Sequence, residues 1–378
     1  MALTAAAAAL VWILGTPPAP PVAPPTPDPV AWLGDEPPGF AVPDGPWVPS
    51  LPADLGPHPE VRAEVWGISG RLADGRGRVH GFQLNLARLA LLPDPPRRAT
   101  EWAANRLVRG HFTLASAGAE RALVAERLGR EALGIAGARG DPPRVWVKDW
   151  SLAASDDGRG GWRLHLQANA PEAALTLDLE PRSPAVSDRQ LALSTQTAGG
   201  AGLRLFAVAA LAAHGRLALQ DQSLEVQGTV YLERAWGSVP TLQSGSTGQL
   251  AVNRFGLRLD DGRVLLCLDL RRLDGSGTPI PSCTLIDDTR IQRFQRREIV
   301  LEPRDVWQSP RTGARYAVSW RLAIAPLDLD LTLAPLIADQ ELDLALRQWN
   351  GEVQIAGRQH GTDLGGSGRI ELTPLADR

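Results

Sequence analysis

Glu233 is the side chain best placed to do acid chemistry. It lies between Tyr231 and Trp236, next to Arg234, in a run whose other residues are apolar or aromatic. A carboxylic acid that burial keeps protonated can donate a proton, and the faces of tryptophan rings can stabilise a cation. We therefore predict that Glu233 is a catalytic proton donor and that Tyr231 and Trp236 line the ligand site. The alternative is a structural carboxylate paired with Arg234 or with another arginine.

A second group of candidates precedes it in the chain. Strand alternation places Glu64 and Trp66 on one face, with Arg62 beside them, where they could shape a ligand pocket. The alternative for Glu64 is a structural ion pair capped by a core tryptophan. His58, on the loop before this strand, and Gln83 are further candidates for ligand contact. The alternative for His58 is a solvated loop histidine. The alternative for Gln83 is an amide that hydrogen-bonds to neighbouring backbone.

Other chemistries find little support in the residue types. The six histidines are scattered, without the His, Cys and Asp spacing of a zinc site. Neither a Gly-x-Ser-x-Gly elbow nor a glycine-rich phosphate loop is present. We therefore expect no metal and no cofactor. The formal net charge of −3 gives no reason to expect a nucleic-acid partner.

Strand patterns dominate from residue 61 onward. Residues 163–168 and 175–180 alternate with period two, and residues 327–333 place leucines on one face and polar residues on the other. Asp-Gly and Asn-Gly pairs recur between such runs. Many short strands at this spacing predict an all-β fold of barrels or sandwiches. Residues 119–135 are the main helical candidate, although Gly129, Gly134 and the following Gly137 make a short irregular helix on a loop the alternative.

The two cysteines lie symmetrically about a turn. Cys267 and Cys283 flank Gly275 at equal distance in sequence. If residues 264–273 and 281–287 form a hairpin about this turn, the two sulfur atoms lie opposite each other. In an exported chain this arrangement predicts a disulfide, and the alternative is a pair of buried free thiols.

The N-terminal region has the composition of a targeting segment and a spacer. An apolar run begins the chain and is too short to span a bilayer, so we predict a signal segment over residues 1–24, although no basic residue precedes the run. Residues 17–50 contain 13 prolines, and we predict an extended linker over residues 25–50. We therefore expect a periplasmic or secreted protein.

Several segments resemble one family in consistent order over about residues 50–378. Residues 64–72 and 81–88 resemble the pattern E-W-W-Y-x-x-G-x-L followed by G-F-Q-x-x-F-F-R. This pattern belongs to the two-domain lipocalin-like family that contains carotenoid 1,2-hydratase (hydroxyneurosporene synthase) and AttH-type secreted proteins. Residues 231–238 resemble its W-L-D-R-E-W-S-S element, and residues 258–266 resemble its Q-L-D-D-G strand turn. Other similar segments are residues 126–137, 144–152, 307–314, 339–341, 349–351 and 368–373.

The resemblance implies a fold and a function. The fold would be two lipocalin-like antiparallel β-barrels in tandem, which we place at residues 51–200 and 201–378 on either side of a change in composition. The function would be binding of a lipophilic polyene or terpenoid, with hydration of a carbon–carbon double bond by acid catalysis from Glu233. The alternative is a non-catalytic periplasmic protein that binds a lipophile and works with an ABC export system in the membrane. We expect a monomer.

The chain departs from the family pattern mainly at aromatic positions. Val65, Gly67, Leu86 and Ala87 stand where the family has aromatic residues. A pocket that generates a cation would use such rings. Their replacement favours the binding alternative, whereas the carboxylate retained at Glu233 favours the enzyme.

Overall fold

Two large antiparallel sheets make up the described part of the chain. The computed structural model describes residues 38–45, 47–94, 100, 104–187, 202–237, 250–287, 290–344 and 347–376. Each sheet curls toward closure around its own apolar core, so the predicted all-β fold of two lipocalin-like barrels is confirmed. Within these residues, no helix has the length and apolar character needed to cross a membrane. The predicted signal segment lies outside the described residues.

The first sheet contains twelve strands, and it brings its first and last strands together. Its order is β4-β3-β2-β1-β12-β11-β9-β8-β7-β6-β5, with β10 paired to β11. The strands are β1 (Ala63–Asp74), β2 (Val79–Ala90), β3 (Arg106–Ser116), β4 (Leu123–Arg130), β5 (Ala136–Gly140), β6 (Pro143–Val147), β7 (Trp150–Asp156), β8 (Trp162–Ala170), β9 (Ala173–Pro181), β10 (Ala185–Ser187), β11 (Leu203–Leu219) and β12 (Gln222–Gly237).

The second sheet contains ten strands and repeats this plan. Its order is β16-β15-β14-β13-β22-β21-β19-β18-β17, with β20 paired to β21, so its first strand again pairs with its last. The strands are β13 (Leu250–Leu259), β14 (Val264–Arg272), β15 (Ile280–Asp287), β16 (Arg290–Phe294), β17 (Ile299–Gln308), β18 (Arg315–Ile324), β19 (Leu329–Pro335), β20 (Glu341–Leu342), β21 (Gln348–Gln359) and β22 (Thr362–Leu372).

The division between the two sheets differs from the one expected at residues 200 and 201. Strands β11 and β12 follow that point but belong to the first sheet, because β12 pairs along its length with β1. The first sheet therefore extends to Gly237, and the second begins at Leu250. The change in composition used for the expectation falls between β10 and β11, and residues 188–201 lie outside the described residues.

The helix predicted over residues 119–135 is wrong. Its middle forms β4, which pairs with β3 from Leu114 opposite Leu123 to Leu107 opposite Arg130. The apolar residues that suggested a helix do not form one buried face, since the side chain of Leu128 is 57% exposed. Pairing with an available strand edge thus outweighs a weak helical spacing that glycines interrupt.

Part of the predicted linker packs on the first barrel. Trp47 lies against Trp236, with ring centroids 5.0 Å apart in an edge-to-face arrangement, and against Phe206 at 6.3 Å. The Nε1 of Trp66 donates a hydrogen bond to the carbonyl of Leu55 at 2.8 Å. Residues 47–55 therefore cover one end of this barrel, while most of residues 25–50 lie outside the described residues.

Alternation along the strands builds the cores. In β19, Leu329, Leu331 and Leu333 are buried while the residues between them are exposed, as the sequence predicts. A third apolar cluster lies between the barrels and joins side chains of both sheets. Its members are Val186, Leu205, Ala207 and Ala235 from the first sheet and Val264, Leu266 and Ile286 from the second.

A disulfide joins β14 to β15. Cys267 and Cys283 are direct partners in the ladder and are both buried, so the predicted disulfide is confirmed. In the chain-entropy description, a crosslink that closes a loop of about 15 residues stabilises the folded chain by about 3 kcal/mol, because it restricts the unfolded chain.

Replacing both cysteines by alanine should lower the free energy of unfolding by about 3 kcal/mol. Urea unfolding followed by tryptophan fluorescence measures this change. The wild-type protein unfolded in the presence of reductant is the matched control, and it should approach the variant. An unchanged unfolding midpoint in both experiments would contradict the expected contribution.

Candidate functional site

A cavity of about 370 Å³ lies between the two barrels. Its walls are the outer faces of β1, β11 and β12 from the first sheet and of β13, β14 and β22 from the second. The lining includes, from the first sheet, Arg71, Gln83, Leu205, Ala209, Tyr231, Glu233 and Ala235, and, from the second, Arg254, Arg258, Val264, Leu266, Glu352, Arg369 and Glu371.

Alternation along β1 and β12 divides the predicted site residues between two faces. Gly67 lies opposite Glu233 and faces the cavity, whereas Trp66 lies opposite Arg234 and faces the barrel core. The structure therefore brings Tyr231, Glu233 and Gln83 together at the cavity. It places His58, Glu64, Trp66 and Trp236 together at one end of the first barrel.

Glu233 lies at the cavity wall in an ion pair with the second barrel. The Nη2 of Arg254 donates to its two carboxylate oxygens at 2.7 and 2.8 Å. The hydroxyl of Tyr231 donates to Oε2 of Glu233 at 3.3 Å, and burial together with the charge of Glu233 raises the pKa of this tyrosine. The partner of Glu233 is thus Arg254 and not the adjacent Arg234, which faces the opposite side of the strand.

Glu352 is a cavity carboxyl that the sequence did not single out. It lies on β21 opposite Arg369 of β22 and is 3% exposed, and its Oε1 has no hydrogen-bond partner among the described residues. Burial raises its pKa to about 7, although the charges of Arg369 and Arg71 oppose this shift. Glu352 therefore holds a proton near neutral pH and can act as an acid or a base.

Gly81 makes room for this carboxyl. A β-carbon at residue 81 would come within 2.5 Å of the β-carbon of Glu352. The two strands that carry these residues belong to different sheets, so the barrels meet closely at this point. The segments that resemble the family include residues 349–351 but not Glu352. The available signal was alternation along β21, which places Glu352 on the same face as Asn350.

A buried polar network joins the barrels beside the cavity. The Nδ2 of Asn350 donates to Oε1 of Gln83 at 2.6 Å, and the Nε2 of Gln83 donates to Oε1 of Glu371 at 3.1 Å. Arg369 donates from Nη2 to the hydroxyl of Thr113 at 2.8 Å. The side-chain amide of Gln83 thus joins the first sheet to the second by hydrogen bonds. The network fixes the distance between the two barrels beside the cavity.

The second group of predicted residues forms a closed ion-pair cluster around Glu64. Its carboxylate accepts hydrogen bonds from Nη1 of Arg88 at 2.5 Å, from Nη2 of Arg234 and from the backbone N–H of His58 at 2.8 Å. The guanidinium of Arg234 lies 3.8 Å from the ring centroid of Trp66. This geometry corresponds to the structural interpretation of Glu64 and Trp66.

The same cluster holds His58 and Trp236. Their rings stack with centroids 4.0 Å apart. Burial alone would lower the pKa of His58, but hydrogen bonding to Asp54 and Glu64 raises it. Burial alone would raise the pKa of Glu64, but hydrogen bonding with His58 and the charges of Arg234 and Arg88 lower it to about 2. Glu64 is therefore ionised at neutral pH.

Two curled sheets with a cavity between them define a two-barrel lipocalin-like protein. The sequence profile of the AttH-like family matches residues 42–374, so this chain belongs to the AttH-like family, and the resemblance to AttH-type proteins is confirmed. No curated protein matches the chain in a sequence comparison.

Solved structures share the fold over most of the chain. A putative AttH from Nitrosomonas europaea is 23% identical, with a TM-score of 0.70 over 88% of this chain and 99% of that one. Kievitone hydratase from Nectria haematococca is 15% identical, with a TM-score of 0.60 over 88% and 94%. CghA with Sch210972 is 14% identical, with a TM-score of 0.52 over 88% and 95%.

Glu64→Gln should lower the free energy of unfolding by about 3–5 kcal/mol, because it leaves Arg234 charged and buried without its carboxylate. Urea unfolding at neutral pH measures the loss. Glu225→Gln removes a carboxylate from an exposed pair with Arg216 and serves as the control, with an expected change below about 1 kcal/mol. Equal effects of the two substitutions would contradict the role of the cluster.

The acid stability of the protein should depend on the same carboxylate. The folded-state pKa of Glu64, about 2, lies below its ordinary value of 4.5. Its contribution is therefore fully present above pH about 5 and is lost as the pH falls toward 2, and it amounts to about 3 kcal/mol. Unfolding at stepwise lower pH should show this loss in the wild type and a smaller loss in Glu64→Gln.

Proposed function

We propose that the protein binds a lipophilic small molecule in the cavity between its barrels. The observation that supports this proposal is the cavity itself, whose volume of about 370 Å³ falls within the range of small-molecule sites, roughly 300–1,000 Å³. Apolar side chains of both sheets form one side, and a few polar groups converge on the other. A polyene or terpenoid is the ligand class that we propose.

Small residues at facing positions leave this space open. Gly67 and Gly256 line the cavity, and the nearest atoms to a β-carbon built at residue 256 are 4.0 Å away. Ala209 and Ala235 widen the same region. Gly67, one of the positions at which the family has an aromatic residue, thus supplies room for a ligand instead of a ring for a cation.

Filling the cavity should remove binding. Gly256→Leu projects a side chain into the space without displacing a neighbour at its β-carbon, and it should weaken binding of all-trans-retinol at least about tenfold, or about 1.4 kcal/mol. Fluorescence titration of retinol measures the affinity.

The matched control is Ala174→Leu, which adds a similar side chain at an exposed position of β9. It should bind retinol as the wild type does. Binding that survives in Gly256→Leu with unchanged affinity would place the ligand elsewhere and refute the proposal.

Acid-catalysed hydration of a carbon–carbon double bond is the second candidate. Glu352 favours it, because a carboxyl with a pKa of about 7 faces the cavity. Its proton would form a new C–H bond with the π electrons, the resulting cation would add water, and the carboxylate would take the proton that the added water loses. Glu233, the donor predicted from the sequence, remains a candidate, although its ion pair with Arg254 makes it an acceptor in this geometry.

Two variants separate the candidate acids. Lycopene in detergent is the test substrate, and mass spectrometry detects a product heavier by one water. Glu352→Gln should lower turnover by at least about 100-fold if Glu352 is the donor, and wild-type activity should fall above pH about 7, because the acid must be protonated. Loss in Glu233→Gln alone would assign the acid to Glu233, and binding without turnover in the wild type would exclude hydration of this substrate.

We also propose that the protein is exported, acts as a monomer and cooperates with a membrane export system. The apolar N-terminal run supports export, as does the disulfide, which is typical of oxidising compartments. Intact mass measurement of the protein from a periplasmic fraction tests this proposal. A chain that keeps Met1 and its apolar run in the cytosol would refute it.

A further inference from the structure

The cavity contains more positive groups than its carboxylates balance. Four arginines line it, namely Arg71, Arg254, Arg258 and Arg369, against the carboxyls of Glu233, Glu352 and Glu371. Arg254 contacts two of these carboxylates, Glu233 at 2.7 Å and Glu371 at 4.0 Å. Among the described residues, no carboxylate lies within salt-bridge distance of the other three arginines.

Burial makes this imbalance costly. Arg369 is 8% exposed, and Nη1 of Arg258 is a buried donor without a hydrogen-bond partner in the described part of the chain. Burial lowers the pKa of both side chains, that of Arg369 to about 10. The charges of Glu352 and Glu371 and hydrogen bonds to Asn350 and Thr113 offset part of this cost for Arg369. A buried donor without a partner, such as Nη1 of Arg258, destabilises the protein, and an anion that enters the cavity would remove part of that cost.

The positive groups lie at one side of the cavity. Glu352 packs on Gly81, and Gly81 is the ladder partner of Arg71. On β13, Gly256 is the ladder partner of Arg369, and Arg258 lies two residues further along the same strand. Arg71 and Arg258 therefore approach the same region from opposite sheets. The carboxyls whose charges act on Arg71 and Arg258 are Glu352 and Asp260, respectively, and neither lies within salt-bridge distance of these arginines.

The opposite side of the cavity is apolar. Leu205 and Ala235 from the first sheet meet Val264 and Leu266 from the second in the cluster between the barrels. The strands that carry them, β11, β12 and β14, lie on the side of the cavity away from β2 and β21, where Glu352 lies. A bound molecule thus meets an apolar wall at one end and guanidinium groups at the other.

We propose that the ligand is an amphipathic small molecule with a carboxylate, which Arg71 and Arg258 bind while its apolar body packs against Leu205, Val264 and Leu266. This inference rests on the proposed binding function and names its ligand class. The guanidinium groups supply the planar pairs of N–H donors that match a carboxylate. An uncharged lipophile of the same shape would leave these groups desolvated and unpaired.

The test compares cis-parinaric acid with its methyl ester, two fluorescent polyenes that share the same chain, since the ester replaces the head-group charge by a methyl group. Fluorescence titration at pH 8 should give an affinity at least about tenfold higher for the acid. Arg258→Gln and Arg71→Gln should each reduce that preference, and the double variant should bind acid and ester equally. Ester affinity should stay unchanged in all three, which also shows that the cavity has folded.

Arg216→Gln is the matched control, because it removes an exposed arginine away from the cavity and should leave the preference intact. Equal affinity of the wild type for acid and ester would overturn the inference while leaving the binding function standing. A preference that persists in the double variant would also overturn it. Failure of the wild type to bind acid, ester or retinol would overturn both proposals.

Discussion

The pairing of β1 with β12 is the constraint on which the rest of the structure depends. It joins the first strand of the barrel to the last, and its register decides which side chains face the core and which face the other barrel. A shift by one residue would exchange the two sets, placing Arg234 at the cavity and Glu233 in the core. Both arrangements of charge would then be lost, because Glu64 and Arg254 lie on opposite sides of this ladder.

The two charge clusters stabilise that register from opposite faces. On the inner face, Glu64 is saturated by Arg88, Arg234 and His58, so its charge serves the fold. On the outer face, Glu233 pairs with Arg254 of the second sheet, whereas Glu352, also in that sheet, keeps an oxygen without a hydrogen-bond partner among the described residues. One face of this strand pair thus carries a carboxylate that serves the core, and the other faces a cavity whose opposite wall holds an incompletely satisfied carboxyl, a condition typical of ligand sites.

Local patterns predicted the fold more completely than the site. Alternating leucines marked strands such as β19, and the symmetric spacing of Cys267 and Cys283 about a turn predicted their disulfide. Glu233, the predicted proton donor, and Glu64, a predicted pocket residue, lie on opposite faces. Alternation shows that two residues share a face but does not show what covers it. The burial of Glu352 could not be predicted from alternation alone, because it results from packing between strands that are distant in the chain.

Gly81 shows how a residue outside the ligand's reach can set what the protein accepts. The barrels approach each other at this glycine because it has no side chain, and Glu352 occupies the space. A methyl group at residue 81 would clash with Glu352 and push the two barrels apart along the edge of the cavity. The distance between the barrels therefore depends on the residue at this position. Related chains could accept thicker or thinner ligands by changing this contact alone.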